Sequence, residues 1–281
     1  MKKFIVGAVA MLGATGAQAA DIEARAFAKA SPMETASGWT GFYAGINAGY
    51  GFNDTAATFA NNDVVTNSIL FGGTVTAAPV SYDVKGVLGG GQVGYNRQVS
   101  PNWLIGVEAD FQGSDIRGGG GTPFVIVGHP GQVAAQQNVE WFGTLRARAG
   151  WLASDKLLVF GTGGLAYASV HENSTMSNTD GVGFTAVGAP FSANCVGPAL
   201  VACFSGTTTK FRTGYTAGGG FEYAAWRNVS FKAEYLYINL GSSSITSVAI
   251  PASGGTGPSS YSAHFNDLDF HVLRAGVNYR F

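Results

Sequence analysis

The segment that most constrains the fold is 271–281. Read with a period of two, His271, Leu273, Ala275, Val277, Tyr279 and Phe281 fall on one face, and Val272, Arg274, Gly276, Asn278 and Arg280 on the other. One face is mostly apolar and the other mostly polar, the pattern of a strand between two different environments. The segment closes on Phe281, with Tyr279 two positions earlier. A water-exposed strand has no physical need of that aromatic pair, whereas a strand crossing a bilayer sets aromatics at the interface.

The opposite end carries an export signature. Met1-Lys2-Lys3 is positive, the stretch from Phe4 to Leu12 is apolar but for Gly7, and Ala17-Gln18-Ala19 has the small-x-small form of a cleavage site. The spacing predicts a leader over 1–19 that is removed. Its apolar core is too short for a spanning helix, and no later run approaches the ~20 residues that a ~30 Å hydrocarbon layer requires. A chain without such a helix crosses a membrane as a closed β-barrel, which also satisfies every backbone N–H and C=O. Composition agrees, with 42 Gly, 19 Phe, 11 Tyr and 5 Trp. Loss of Lys2 and Lys3 with the leader leaves 14 basic against 17 acidic residues, which excludes the clustered basic surface of a nucleic-acid binder.

Eight segments alternate as strands: 40–52, about 81–99, 103–113, 139–151, 156 to about 171, 210–225, one from 229, and 271–281. Short connections follow the second, fourth and sixth, at Ser100-Pro101-Asn102, Ala153-Ser154-Asp155 and Trp226-Arg227-Asn228. Long ones follow the first, third, fifth and seventh. This parity places all short turns on the side of the termini, the periplasm, and all long loops outside the cell. The expected fold is therefore all-β: an eight-stranded antiparallel up-and-down transmembrane β-barrel over 39–281, after a periplasmic lead-in over 20–38.

Orientation of the faces separates a membrane barrel from a soluble one. Trp103, Trp141, Trp151, Tyr215, Tyr223, Tyr235 and Phe281 are too many rings for one small interior, and suit interfacial girdles. The opposite face carries Glu108, Asp110, Glu140, Glu222 and Glu234 with Arg146, Arg148, Arg212, Lys232, Arg274 and Arg280. Five acids against six bases predict a lumen network that pairs internally, since an unpaired buried charge costs several kcal/mol.

Other motifs carry less. Gly161-Thr-Gly163-Gly-Leu-Ala166 has the dinucleotide pattern, but strand and polar loop follow where a helix is needed. Gly118 to Gly121 lacks the Lys-Ser/Thr of a phosphate loop and is expected to be flexible. Among the four histidines, His264 with Asp267 or Asp269 has the form of an acid–base pair; a strand–loop boundary accounts for these residues equally. No cofactor, metal or catalytic function is expected. Cys195 and Cys203, with seven residues between them, are expected to form one disulfide in an oxidising compartment.

Four motifs together resemble a family. Trp39-Thr-Gly-Phe-Tyr-Ala-Gly-Ile-Asn-Ala-Gly-Tyr-Gly51, Gly89-Gly-Gly-Gln-Val-Gly-Tyr-Asn96, Lys232-Ala-Glu-Tyr-Leu-Tyr237 and Arg274-Ala-Gly-Val-Asn-Tyr-Arg-Phe281 look like the outer-membrane immunogenic proteins of alphaproteobacteria, the RopB-type porin-family barrels. The likeness runs from Trp39 onward. It implies an OmpA-like barrel at the cell surface, structural and antigenic, with Tyr279 and Phe281 read by the barrel-assembly machinery. The expected function is structural, with at most small-solute leakage; a true diffusion channel and a surface adhesin or ligand binder are the alternatives. Expected partners are outer-membrane lipids and lipopolysaccharide, with no nucleic acid, and the expected state is a monomer.

Overall fold

The computed structural model describes residues 38–70, 78–126, 128–183, 185–188, 191–250 and 259–281. The expected leader, and the lead-in apart from Gly38, lie outside them. In chain order the elements are β1 (Gly41–Asn61), α1 (Val64–Leu70), β2 (Val80–Ser100), β3 (Trp103–Ile126), β4 (His129–Ser154), β5 (Leu157–Asn178), β6 (Thr185–Gly188), β7 (Phe191–Asn194), β8 (Ala202–Ala224), β9 (Val229–Asn239), β10 (Ser243–Ala249), β11 (Ser260–Phe265) and β12 (Asp269–Arg280).

Eight strands, β1 to β5 with β8, β9 and β12, form a closed antiparallel ring. It is sealed where β12 pairs back onto β1 from Tyr43↔Arg280 to Phe52↔His271. Following the register from Arg97 through Ile105, Ala149, Gly161, Gly219, Tyr235, Leu273 and Tyr50 returns to β2 at Val87, ten residues toward the extracellular end. Eight strands with this stagger are steeply tilted and enclose an interior only wide enough for their own side chains. Every residue named on that circuit faces outward. Phe42, Ile46, Val93, Val107, Leu145, Leu165 and Phe221 are likewise exposed, the apolar belt that hydrocarbon requires.

The strands do not stop where the sequence suggests loops. β3 and β4 continue as a ladder to Ile126↔His129, so Gly118 to Gly121 are ladder residues rather than a flexible linker. Beyond the belt the sense of the alternation reverses. Tyr82, Phe124, Val133, Met176, Phe204, Tyr261 and Phe265 turn inward and are buried, while Asp83, Lys85, Arg117 and Gln136 face out. The lower ring is apolar outside, as in lipid; the upper part is apolar inside, as in water. Here β10 and β11 replace β9 and β12 in the wall, β10 pairing with β8 at Val248↔Ser205 and β11 with β1 from Ala57↔Phe265 to Asn61↔Tyr261.

A bulge on β4 sets one phase change. Val139 pairs with Val170 and Trp141 with Ser169, leaving Glu140 without a partner on β5. The inserted residue shifts the alternation by one, so Val139 is buried and Glu140 exposed.

Candidate functional site

The lumen is built in three layers. At the periplasmic end Trp39, Leu104, Leu152, Leu158 and Phe160 form an apolar cluster. Trp39 is fixed there by its indole N–H, which donates to the Asp155 carbonyl at 3.0 Å. The Arg280 guanidinium lies 4.5 Å from the centre of the Trp39 ring and donates to the Gly38 carbonyl at 2.5 Å.

Above this cluster lie four carboxylates and four cations from five strands. Arg146 on β4 contacts Glu108 and Asp110 of β3, the latter at 2.8 Å, and reaches Glu234 of β9 at 2.7 Å. Arg274 of β12 binds Asp110 at 2.8 Å and Glu234 at 2.6 Å. Lys232 of β9 is 2.7 Å from Glu108. Arg148 pairs with Glu222 of β8 at 2.5 Å and stacks on Phe160 at 3.9 Å. No member is more than 5% exposed. Such burial is tolerable only because each charge meets an opposite one and polar neighbours take part of the remaining capacity. Thr144 donates to Asp110 at 2.8 Å, Ser230 to Glu222 at 2.5 Å and Asn278 to Glu222 at 3.0 Å.

The third layer is apolar. Phe142 and Phe270 meet edge to face at 5.6 Å, among Ile116, Leu236, Ile238 and Val272, all essentially buried. It is continuous with the core of the extracellular extension.

Eight of the eleven lumen charges expected from sequence therefore meet in one network, and three do not. Glu140 is a correction: the β4 bulge turns it outward, where Ser169 donates to it at 3.4 Å. Arg212 lies in a separate node, pairing with Glu172 at 3.1 Å and holding the Leu240 and Gly241 carbonyls at the break between β9 and β10. Arg280 caps the periplasmic end as described. Sequence reasoning missed Glu172, which sits just past the expected end of its strand, and Tyr43, whose place on the glycine-rich face of β1 was the available signal.

Cys195 and Cys203 are joined by a disulfide with Cα atoms 4.9 Å apart. Asn178 steadies this loop, donating to the carbonyls of Cys195 at 2.6 Å and Gly197 at 3.1 Å. His264 Nδ1 is 2.6 Å from Ser244 Oγ, its cross-strand neighbour; it lines one open cleft with Asp267 and Asp269 without forming an ion pair with either. Among the described residues no group of three or more His, Cys, Asp or Glu is placed to hold a metal. At the last strand, Tyr279 and Phe281 are both exposed, with ring centres 5.3 Å apart.

The family described as the outer membrane protein beta-barrel domain matches residues 7–281. The chain belongs to that family. It is 35% identical over 285 residues to the 31 kDa outer-membrane immunogenic proteins of Brucella melitensis biotype 1 and Brucella suis biovar 1, covering 100% of both chains in each comparison. Similar solved structures include OprG of Pseudomonas aeruginosa, at 10% identity and a TM-score of 0.42, and the protease OmpT of Escherichia coli, at 10% and 0.40; each covers 86% of this chain and 97% of its own. The family is that of outer-membrane proteins, and the outer membrane is where this barrel resides.

Proposed function

We propose that this outer-membrane barrel is a structural, surface-exposed protein whose lumen is closed to solutes. The observation that carries the reading is the filling of the lumen at three successive levels. Trp39 and Phe160 occupy the periplasmic end, the eight-charge network the middle, and Phe142 with Phe270 the outer end. A conducting pore of this family would need a hydrated path through all three, and eight strands leave width only for side chains. The reading includes no catalysis: His264 shares an open cleft with Asp267 and Asp269 but is paired with Ser244 and with neither carboxylate.

The extracellular extension is the part presented to the surroundings, and the name of the Brucella relatives, immunogenic proteins, supports extending antigenic exposure to this chain. Lipopolysaccharide and phospholipid are its natural neighbours, the barrel-assembly machinery its partner at the exposed pair Tyr279 and Phe281, and the monomer its state. Conductance recordings on purified, folded protein in planar bilayers test the closed lumen. The expected trace is flat; stable, solute-sized steps would overturn the reading.

A further inference from the structure

Arg97 is a cation on an apolar wall. It shares the outer face of β2 with Val93 and Val99, both exposed, and with the half-buried Tyr95, and it pairs with the exposed Ile105 on β3. Arg146, Arg148 and Arg274 all have carboxylates in the lumen, but Arg97 forms no ion pair among the described residues. It stands three residues before β2 ends at Ser100, close to the periplasmic rim.

A groove of about 650 Å³ begins at Arg97 and crosses the outer face of β2 to β5, lined by Tyr95, Ile105, Ala147, Ala149, Gly161 and Gly163 among others. The register from Arg97 through Ile105 and Ala149 to Gly161 climbs around the barrel, so the groove rises from the rim into the membrane.

The barrel's own packing does not require the two glycines. A Cβ at Gly161 would meet its nearest atom, the Gly218 carbonyl oxygen, at 3.9 Å, and one at Gly163 the Thr216 oxygen at 3.7 Å; both are ordinary contacts. Glycine weakens a strand unless something approaches closely, and here the space it keeps open lies on the lipid side.

We propose that this groove docks a glycerophospholipid of the inner leaflet, with its phosphate on Arg97 and an acyl chain lying up the trough toward Gly163. The guanidinium fork matches phosphate oxygens, and headgroup height at the rim is where a long cationic side chain reaches them. Beyond Arg97 the trough is lined mostly by Ile, Val, Ala and Gly, with the Thr162 hydroxyl turned to the Ala147 carbonyl at 2.9 Å, and that matches the chain that follows. The site rests on the barrel's orientation in the membrane and is independent of whether the lumen conducts.

Native mass spectrometry of the folded, detergent-solubilised protein tests it. The probes are phosphatidylglycerol, diacylglycerol with the same chains, inorganic phosphate and lipid A. Wild type should retain one phosphatidylglycerol per barrel, about tenfold more tightly than diacylglycerol, the worth of one charge-assisted contact. Arg97→Gln should erase that preference. The double variant Gly161→Val, Gly163→Val should weaken phosphatidylglycerol retention with Arg97 intact, and a heat-dependent shift in gel mobility shows that both variants are folded. Equal retention of phosphatidylglycerol and diacylglycerol by wild type, which needs no variant, would overturn the proposal. So would unchanged retention in folded Arg97→Gln, or a preference for lipid A. Binding of inorganic phosphate as tight as phosphatidylglycerol would overturn it too, since the acyl groove would then contribute nothing.

Discussion

Tyr43 on β1 reaches over β2 to donate its phenolic hydrogen to Glu108 Oε2 on β3 at 2.6 Å. It passes directly above Gly94, the residue between them in register: Tyr43 pairs with Gly94, and Gly94 with Glu108. A Cβ on Gly94 would stand 2.4 Å from the ring. The glycine is thus the gap through which the aromatic crosses one strand to reach the next, and the ring in turn covers it. Gly94→Ala should displace the ring and break the bond to Glu108, a larger loss than Tyr43→Phe. The latter removes that bond and the longer one, at 3.3 Å, that the hydroxyl accepts from Arg148, and should cost about 1–2 kcal/mol. Reversible urea unfolding in lipid vesicles, followed by tryptophan fluorescence, gives both values and their order.

Glu108 itself is shared by Lys232, Arg146 and Tyr43. Glu108→Gln strands buried cations and should destabilise the barrel by about 3 kcal/mol. Adding Lys232→Met should recover part of that loss, because the second change removes one of the stranded charges. A double-mutant cycle in the same unfolding assay measures the coupling; simple additivity would show that Lys232 is held by Glu234, 3.3 Å away, instead.

The lipid-facing belt and most of the lumen were legible in the sequence because both follow period two with one environment per face. Residues such as Arg146, Arg148, Glu222 and Glu234 could be assigned inward from parity alone. Glu140 could not: a bulge has no compositional mark, and one inserted residue reverses every assignment beyond it. The extracellular extension escaped for a different reason. Val133, Ala135 and Met176 continue the alternation, but with apolar side chains turned inward, and in Asn-, Thr- and Gly-rich surroundings that weak signal resembles loop. Partner choice within the charge network was also beyond reach, since parity gives the face of a strand but not which neighbour across the lumen a side chain meets.

The two regimes should separate experimentally. Phe142 lies where the lumen passes into the extracellular core, packed on Phe270. Phe142→Ala should cost about 3–4 kcal/mol. The loss should appear first as faster proteolysis of the upper strands, with the belt still giving a heat-dependent gel shift. Simultaneous loss of both properties would show that the layers fold as one cooperative unit.

The Cys195–Cys203 bond closes a short loop next to Asn178. Its replacement by Ala at both positions should release roughly 2 kcal/mol of local constraint, without touching the membrane ring. Limited proteolysis should cut this loop sooner in the double variant, while the gel shift stays as in wild type. Equal cutting rates would mean that Asn178 and its carbonyl contacts alone hold the loop.

The same loop has an acid-sensitive anchor. Asp180 Oδ2 is 2.8 Å from His129 Nδ1, and its Oδ1 accepts the backbone N–H groups of Val182 at 2.9 Å and Gly183 at 2.7 Å. The His129 hydrogen bond, followed by those two amides, holds the carboxyl down to about 2, from an ordinary value of 3.8. A carboxyl with a depressed value favours the folded loop whenever it is ionised. Its contribution is therefore complete above pH 3.8 and disappears as the pH falls from there through about 2. Hydrogen exchange at the Val182 and Gly183 amides, corrected for intrinsic rates, should show protection that fades across that window. Asp180→Asn should abolish the fading and leave one constant, lower protection. Protection that persists to pH 2 in wild type would assign the loop's order to the neighbouring disulfide.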